Sequence, residues 1–148
     1  MGLFDAIGIA ASGLTANRVR MDVTAENLAN ANTTKGANGL PYQRQMVAVA
    51  QVGSGFPGAL SGALGSSGSS PAPGGVEVTG IVSDKTPDQL VYDPSNPEAN
   101  AQGYVRMPNV STVTEMTDLI DEQQSYQSDV TAMQTAKTMF TSTLGLLK

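Results

Sequence analysis

The sequence predicts an α+β protein. Long N- and C-terminal helices pair as a coiled coil and flank a small β-rich middle domain that carries a flexible Gly/Ser/Pro loop. Three observations carry this expectation. Apolar residues at both ends recur at alternating spacings of three and four. Valines near the centre alternate with other residues at the period of a strand. Residues 53–75 are mostly Gly, Ser and Pro, a composition that cannot bury enough apolar area to offset chain entropy. The expected divisions are 1–34 for the N-terminal helix, 35–110 for the middle domain and 111–148 for the C-terminal helix.

The first helix is expected over residues 3–31. Its seam runs Phe4, Ile7, Ala11, Leu14, Met21, Ala25 and Leu28, with Arg18 as a polar break. The run Asn30-Ala31-Asn32-Thr33-Thr34, followed by Gly36, supplies the stop signal. In the middle, Val47 and Val49 alternate, as do Val76 and Val78, and Leu90 to Tyr92 is a further short candidate strand. The second helix is expected over 112–147. Thr112 and Glu115 fit a capping box just after Pro108. Glu115, Asp118, Asp121 and Glu122 crowd its first turns and Lys148 closes its far end, each matching the helix dipole. Its seam runs Met116, Leu119, Gln123, Tyr126, Val130, Met133, Lys137, Phe140, Leu144 and Leu147. Leu119, Tyr126, Met133, Phe140 and Leu147 form one unbroken apolar row within it.

Composition removes several function classes. The 148 residues include no Cys and no His, which excludes Cys/His zinc sites, Ser-His-Asp triads and Cys-His nucleophile pairs. With 8 basic and 13 acidic side chains the net charge is -5, so the basic face of a nucleic-acid binder is missing. No apolar run approaches the roughly 20 residues of a membrane helix. The N-terminus shows no basic and apolar regions of a cleavable signal peptide, and Ala6 stands where a myristoylation pattern needs Ser or Thr. Asn32-Thr33-Thr34 and Asn109-Val110-Ser111 fit the glycosylation pattern, which is short enough to arise by chance. No phosphate loop is present, and no cofactor is expected.

The ends should seek partners. The helices would be about 40 and 50 Å long, whereas a middle of roughly 55 residues is only about 20 Å across. The outer faces also lack the charge of a solvated helix. Ile9 and Val23 fall opposite the first seam, and Ser, Thr, Gln and Ala dominate the outside of the second. Gly8 and Gly13 each cost about 1 kcal/mol in a helix interior. Such helices gain order mainly from tertiary or quaternary contact.

Asn27-Leu28-Ala29-Asn30-Ala31-Asn32-Thr33-Thr34, followed by Pro41-Tyr42-Gln43-Arg44, resembles the N-terminal signature of bacterial flagellar rod and hook proteins. Gly80 to Asp84, Val91 to Asn100 and Gly103 to Val110 are similar to the proximal branch of the flagellar basal-body rod protein family. Glu115-Met116, Ser125-Tyr126-Gln127 and Thr135 to Met139 fit the same family. The resemblance covers nearly the whole chain outside 53–75, where the loop looks lengthened. It implies a structural, non-enzymatic subunit of the rod, the drive shaft that transmits torque across the periplasm. It also implies an inner coiled-coil layer of terminal helices around a channel, and export without a cleaved signal peptide through the flagellar type III apparatus. The implied partners are copies of itself, other rod proteins, base components of the basal body and that export apparatus, with no nucleic acid and no direct membrane span.

The candidate subunit-packing residues are Phe4, Ile7, Leu14, Met21, Leu28, Met116, Leu119, Tyr126, Val130, Met133, Phe140, Leu144 and Leu147, with Asn27, Asn30 and Asn32 as polar contacts. The same asparagines also suit a helix end and turn for local backbone reasons. Gln123 and Lys137 are candidates for setting register. The acidic cluster of Asp118, Asp121 and Glu122 reads as dipole compensation and not as a metal or acid–base pair. The competing function is a helical secretion substrate or adaptor that binds a partner through its seam. It would dissolve as a stable monomer or small oligomer, whereas a rod subunit belongs to an insoluble axial structure.

Overall fold

The computed structural model describes residues 3–36, 38–52 and 74–145. Two long helices, α1 (Leu3–Ala29) and α2 (Thr112–Gly145), bracket β1 (Gln45–Gln51), β2 (Val76–Ser83), β3 (Gln89–Tyr92) and β4 (Tyr104–Met107). The strands form two separate two-stranded sheets, β1 with β2 and β3 with β4. The α+β class read from the sequence is the class observed. The expected loop over 53–75 lies outside the described residues except for Gly74 and Gly75.

The chain divides into two compact units. The first comprises Met1–Val19, Ala48–Gly80 and Glu122–Lys148; the second comprises Arg20–Val47 and Ile81–Asp121. In the first unit, the Asn17 amide donates to Asp129 Oδ2 at 2.9 Å. A Cβ on Gly13 would come within 2.9 Å of that same oxygen, so the bare glycine lets α2 close on α1. In this unit Val52 N–H donates to Gly75 O at 2.8 Å and Thr79 Oγ1 to Ala48 O at 3.1 Å, an antiparallel pairing. In the second unit β3 and β4 pair antiparallel, with Gln89 opposite Met107 and Tyr92 opposite Tyr104.

Burial corrects the seams at particular positions. Val23, placed on the outer side by its spacing, is buried, while Ala25, placed in the seam, is exposed. A heptad assumes one partner helix. In the second unit α1 also meets the middle region, so its buried side broadens to Val23, Thr24, Asn27 and the following Ala31. On α2 the row Leu119, Tyr126, Met133 and Phe140 is half-buried. The companion row lies one residue earlier than the apolar count puts it. Glu115 is buried, and Glu122, Asp129 and Ala136 are half-buried; Met116, Gln123, Lys137 and Leu144 are exposed. Val130 alone of that expected row is half-buried. Hydrophobic spacing missed the companion row because carboxylates occupy three of its four positions.

The start of α2 also differs from the expected capping box. Ser111, not Thr112, is the cap: its hydroxyl accepts from Thr114 N–H at 3.4 Å and from Thr114 Oγ1 at 3.0 Å. That leaves the Glu115 side chain free to turn inward. Along the exposed side of α2, Ser128, Thr131, Thr135 and Thr138 each donate their hydroxyl to the preceding turn, at 2.9–3.1 Å. These back-bonds satisfy side chains that otherwise disfavour a helix.

Ser12 joins α1 to β2 inside the first unit. Its hydroxyl donates to Ile9 O at 2.7 Å and accepts from Val76 N–H at 3.1 Å. A Cβ on Gly75 would collide with that hydroxyl. Gly75→Ala is therefore expected to destabilise the protein by about 1–3 kcal/mol, with Ser12→Gly in the same chain relieving part of the loss. Denaturant unfolding of the two single variants and the double variant measures this, and an unchanged midpoint for Gly75→Ala would sink the close approach.

Candidate functional site: a polar clasp in the second unit

The second unit contains a site built from three separate stretches of chain. The last full turn of α1 supplies Asn27, the entry to β1 supplies Tyr42, Arg44 and Gln45, and the first two turns of α2 supply Glu115 and Asp118. Asn27 and Glu115 are each only 1% exposed. Such burial of polar groups is tolerated only when their bonds are made.

Asn27 makes all of them. Its Nδ2 donates to Gln45 O at 2.8 Å and to Glu115 Oε2 at 3.0 Å. Its Oδ1 accepts from Tyr42 OH and from Gln45 N–H, both at 2.9 Å. Two donors and two acceptor positions exhaust a carboxamide. By holding both N–H and C=O of Gln45, the side chain acts as a substitute strand partner where β1 begins.

Glu115 needs a second partner because one amide does not offset the desolvation of a carboxylate. Arg44 provides it, with Nε donating to Oε1 at 2.5 Å, while its Nη2 reaches Asp118 at 3.2 Å. Partial burial works to lower the Arg44 pKa, but the Glu115 hydrogen bond and the charges of Glu115, Asp118 and Asp84 outweigh it and leave it above the ordinary value. Asn109 fixes the Arg44 backbone: its Oδ1 accepts from Arg44 N–H at 2.7 Å, and its Nδ2 donates to Thr86 O at 3.2 Å. Asp84 N–H donates to Arg44 O at 2.7 Å. The Asp84 carboxyl lies below its ordinary range, held there by the Thr86 hydroxyl and then by the Thr86 amide. Tyr42 sits above its ordinary 10.0, raised first by partial burial and then by the carboxylates of Glu26 and Glu115.

The arrangement ties the end of α1 to the entry of β1 and the start of α2. A nearby cleft of about 310 Å³ is lined by Lys35, Leu40, Pro41, Glu98, Tyr104 and Arg106 among others. Glu98 there accepts from the Thr34 hydroxyl, and Arg106 pairs with Asp88 at 2.8 Å. Among the described residues no group of three or more His, Cys, Asp or Glu is placed to hold a metal. No described helix is long and apolar enough to cross a membrane.

The candidate packing residues fall in several places. Asn27 is in the clasp. Asn30 is engaged locally, donating to Glu26 O at 3.0 Å and accepting from Thr33 Oγ1 at 3.3 Å. Asn32 is exposed. Ile7, Leu14, Met21 and Leu28 are half-buried on α1, as are Leu119, Tyr126, Val130, Met133 and Phe140 on α2, whereas Met116 and Leu144 are exposed. The Phe4 side chain and Leu147 lie outside the described residues. Sequence reasoning gave no role to Tyr42, Arg44, Gln45, Asn109 or the inward side chain of Glu115. The available signal was the proximity of Tyr42-Gln43-Arg44 to the asparagine-rich end of α1.

Comparison with known proteins places these segments. Residues 7–37, which span most of α1 and its exit, match the family model for flagella basal body rod protein. Residues 101–146, which span β4 and α2, match the model for the flagellar basal body rod FlgEFG protein C-terminal region. Over its whole length the chain is similar to the flagellar basal-body rod protein FlgC of Bacillus subtilis, at 45% identity covering 100% of both chains. The protein of the same name from Escherichia coli O6:H1 is 42% identical over 99% of this chain and 98% of the relative. That of Borreliella burgdorferi is 37% identical over 100% of this chain and 99% of the relative.

Two outcomes are expected from the clasp. Asn27→Ala strands a buried carboxylate and two backbone groups, and is expected to cost roughly 3 kcal/mol and lower the melting temperature by about 10 °C. Asn27→Asp, of nearly the same size, should cost at least as much because it sets a carboxylate against Glu115; melting curves followed by circular dichroism measure both, and a wild-type curve for either refutes the clasp. Tyr42 bonds Asn27 as the protonated phenol, and its folded pKa lies above the unfolded 10.0. Its contribution is therefore complete below pH 10.0 and is lost as pH rises through the higher folded value. Stability measured between neutral pH and pH 11 should fall more steeply in the native protein than in Tyr42→Phe.

Proposed function

The chain belongs to the family of FlgC flagellar basal-body rod proteins, and on that premise we propose that it is a structural subunit of the proximal rod. The observation that carries this reading is the 45% identity to a named rod protein over the whole of both chains, joined to an architecture with a long helix at each end. The subunit would be exported through the flagellar type III apparatus and built into the basal body across the periplasm. Its partners there would be copies of itself, other rod proteins and components of the base.

The helices supply the assembly contacts in this reading. Half-burial of Ile7, Leu14, Met21, Leu119, Tyr126, Met133 and Phe140 within one chain leaves part of each side chain for a neighbour. Met116 and Leu144, which the chain itself leaves exposed, add further apolar area. Neighbouring subunits that complete this burial would close a tube of helices around a central channel and make it stiff enough to carry torque. No catalytic group is assigned.

Deleting the gene from its source organism is expected to abolish swimming and leave basal bodies with truncated or missing rods in electron micrographs. The intact gene should restore both. A Leu119→Asp, Met133→Asp version should not. Normal flagella in the deletion strain, with no second copy of the gene, would overturn the reading.

A further inference from the structure

The β3–β4 hairpin presents an outward face of unusual composition. In the observed register, Leu90 lies opposite Arg106 and Tyr92 opposite Tyr104, and side chains of these two pairs share one face. The alternate pair, Val91 and Val105, faces the other way, and Val105 there is buried. Leu90, Tyr92 and Tyr104 are 42–65% exposed. The face is also held rigid. The two tyrosine rings meet edge-on at 5.3 Å. Gly103, at φ 79°, sits so close under Tyr92 that a Cβ would come within 2.8 Å of the ring. Asp88 braces Arg106 at 2.8 Å while 61% of the Arg106 side chain stays exposed. Preorganised tyrosines beside an arginine are the composition of a binding hot spot.

The same unit carries a second patch of opposite sign. Val113, Met116 and Ile120 recur at a helical spacing on α2, on a different side from buried Glu115, and are 52–74% exposed. Asp121 is exposed next to Ile120, and α2 contains no Lys or Arg before Lys137. Glu115 and Asp118 are already paired with Arg44.

We infer that the hairpin face of one copy, Leu90, Tyr92, Tyr104 and Arg106, docks on the Val113–Met116–Ile120 stripe of a second copy, with Arg106 toward Asp121. The inference rests on the reading of this chain as a rod subunit. Apolar area meets apolar area, and a guanidinium meets the exposed carboxylate of Asp121. Pro87 and Pro94 bracket β3 and keep its edge short. We take the contact to be heterologous, one copy docking its hairpin on a neighbour while its own stripe receives another. Each copy that docks then presents its own unused patch, so a rotation that does not close gives an open helical series, whereas reciprocal docking would stop at a dimer.

The absence of cysteine from the chain makes the test clean. Basal bodies are isolated from cells whose only copy carries Leu90→Cys, Ile120→Cys or both, oxidised mildly and run on a non-reducing gel. A ladder of dimers, trimers and higher species is expected for the double variant alone. Dimers from either single variant would mean a like-to-like contact and overturn the inference. So would the lack of a ladder in basal bodies that contain the double variant, an outcome that leaves the rod assignment standing. Absence of the unsubstituted protein from basal bodies would instead bring down the rod assignment. Independently, Asp121→Arg should reduce swimming, because it sets two guanidinium groups against each other, and unchanged swimming overturns the pairing.

Discussion

The second unit depends on one carboxamide. Asn27 is buried with both donors and both acceptor positions engaged, and its four bonds serve three needs. Two bonds start a strand, one holds a tyrosine, and one shares the charge of Glu115. No other side chain of this size offers two donors and two acceptors in one plane. Remove it, and β1 loses its first partner while α2 carries a buried charge with one ligand fewer. Glu115 and Arg44 extend the arrangement outward to Asp118, Asn109 and Asp84. The order of the chain matters less here than the fact that residues 27, 44 and 115 must arrive together.

The larger outlines were legible in the sequence because they rest on period and composition. Leu119, Tyr126, Met133 and Phe140 mark a helix with an apolar side, and valine alternation marks strands, whatever else the chain does. The clasp was not legible in the same way. Asn27 and Glu115 look like a helix-end residue and a first-turn acid, and each has a sufficient local explanation. Their actual partners lie at separations of 18 and 88 residues. Nothing local distinguishes an asparagine that bonds its own turn, as Asn30 does, from one that bonds another element. Val23 failed for a related reason: a spacing rule assigns one inward side, and α1 has neighbours on more than one.

The shifted row of α2 shows how polar residues set a helix pairing. Glu115 and Asp129, each bonded to an asparagine of α1 within its own unit, mark the side that faces α1 more sharply than the leucines do. Apolar contacts tolerate sliding, whereas a buried carboxylate displaced by one turn loses its partner altogether. The register within each unit is therefore fixed by amide–carboxylate pairs, and apolar side chains fill the space that those pairs define.

The back-bonded hydroxyls of α2 have a further consequence. Ser128, Thr131, Thr135 and Thr138 turn their protons toward their own backbone and present methyl and methylene groups outward. A surface of this kind has no ion pairs for counterions to screen. Packing against it is indifferent to ionic strength, in contrast to a contact that relies on Arg106 and Asp121. A filament that joins both kinds of contact would hold its helical layer together in concentrated salt even as its outer charge pairs weaken.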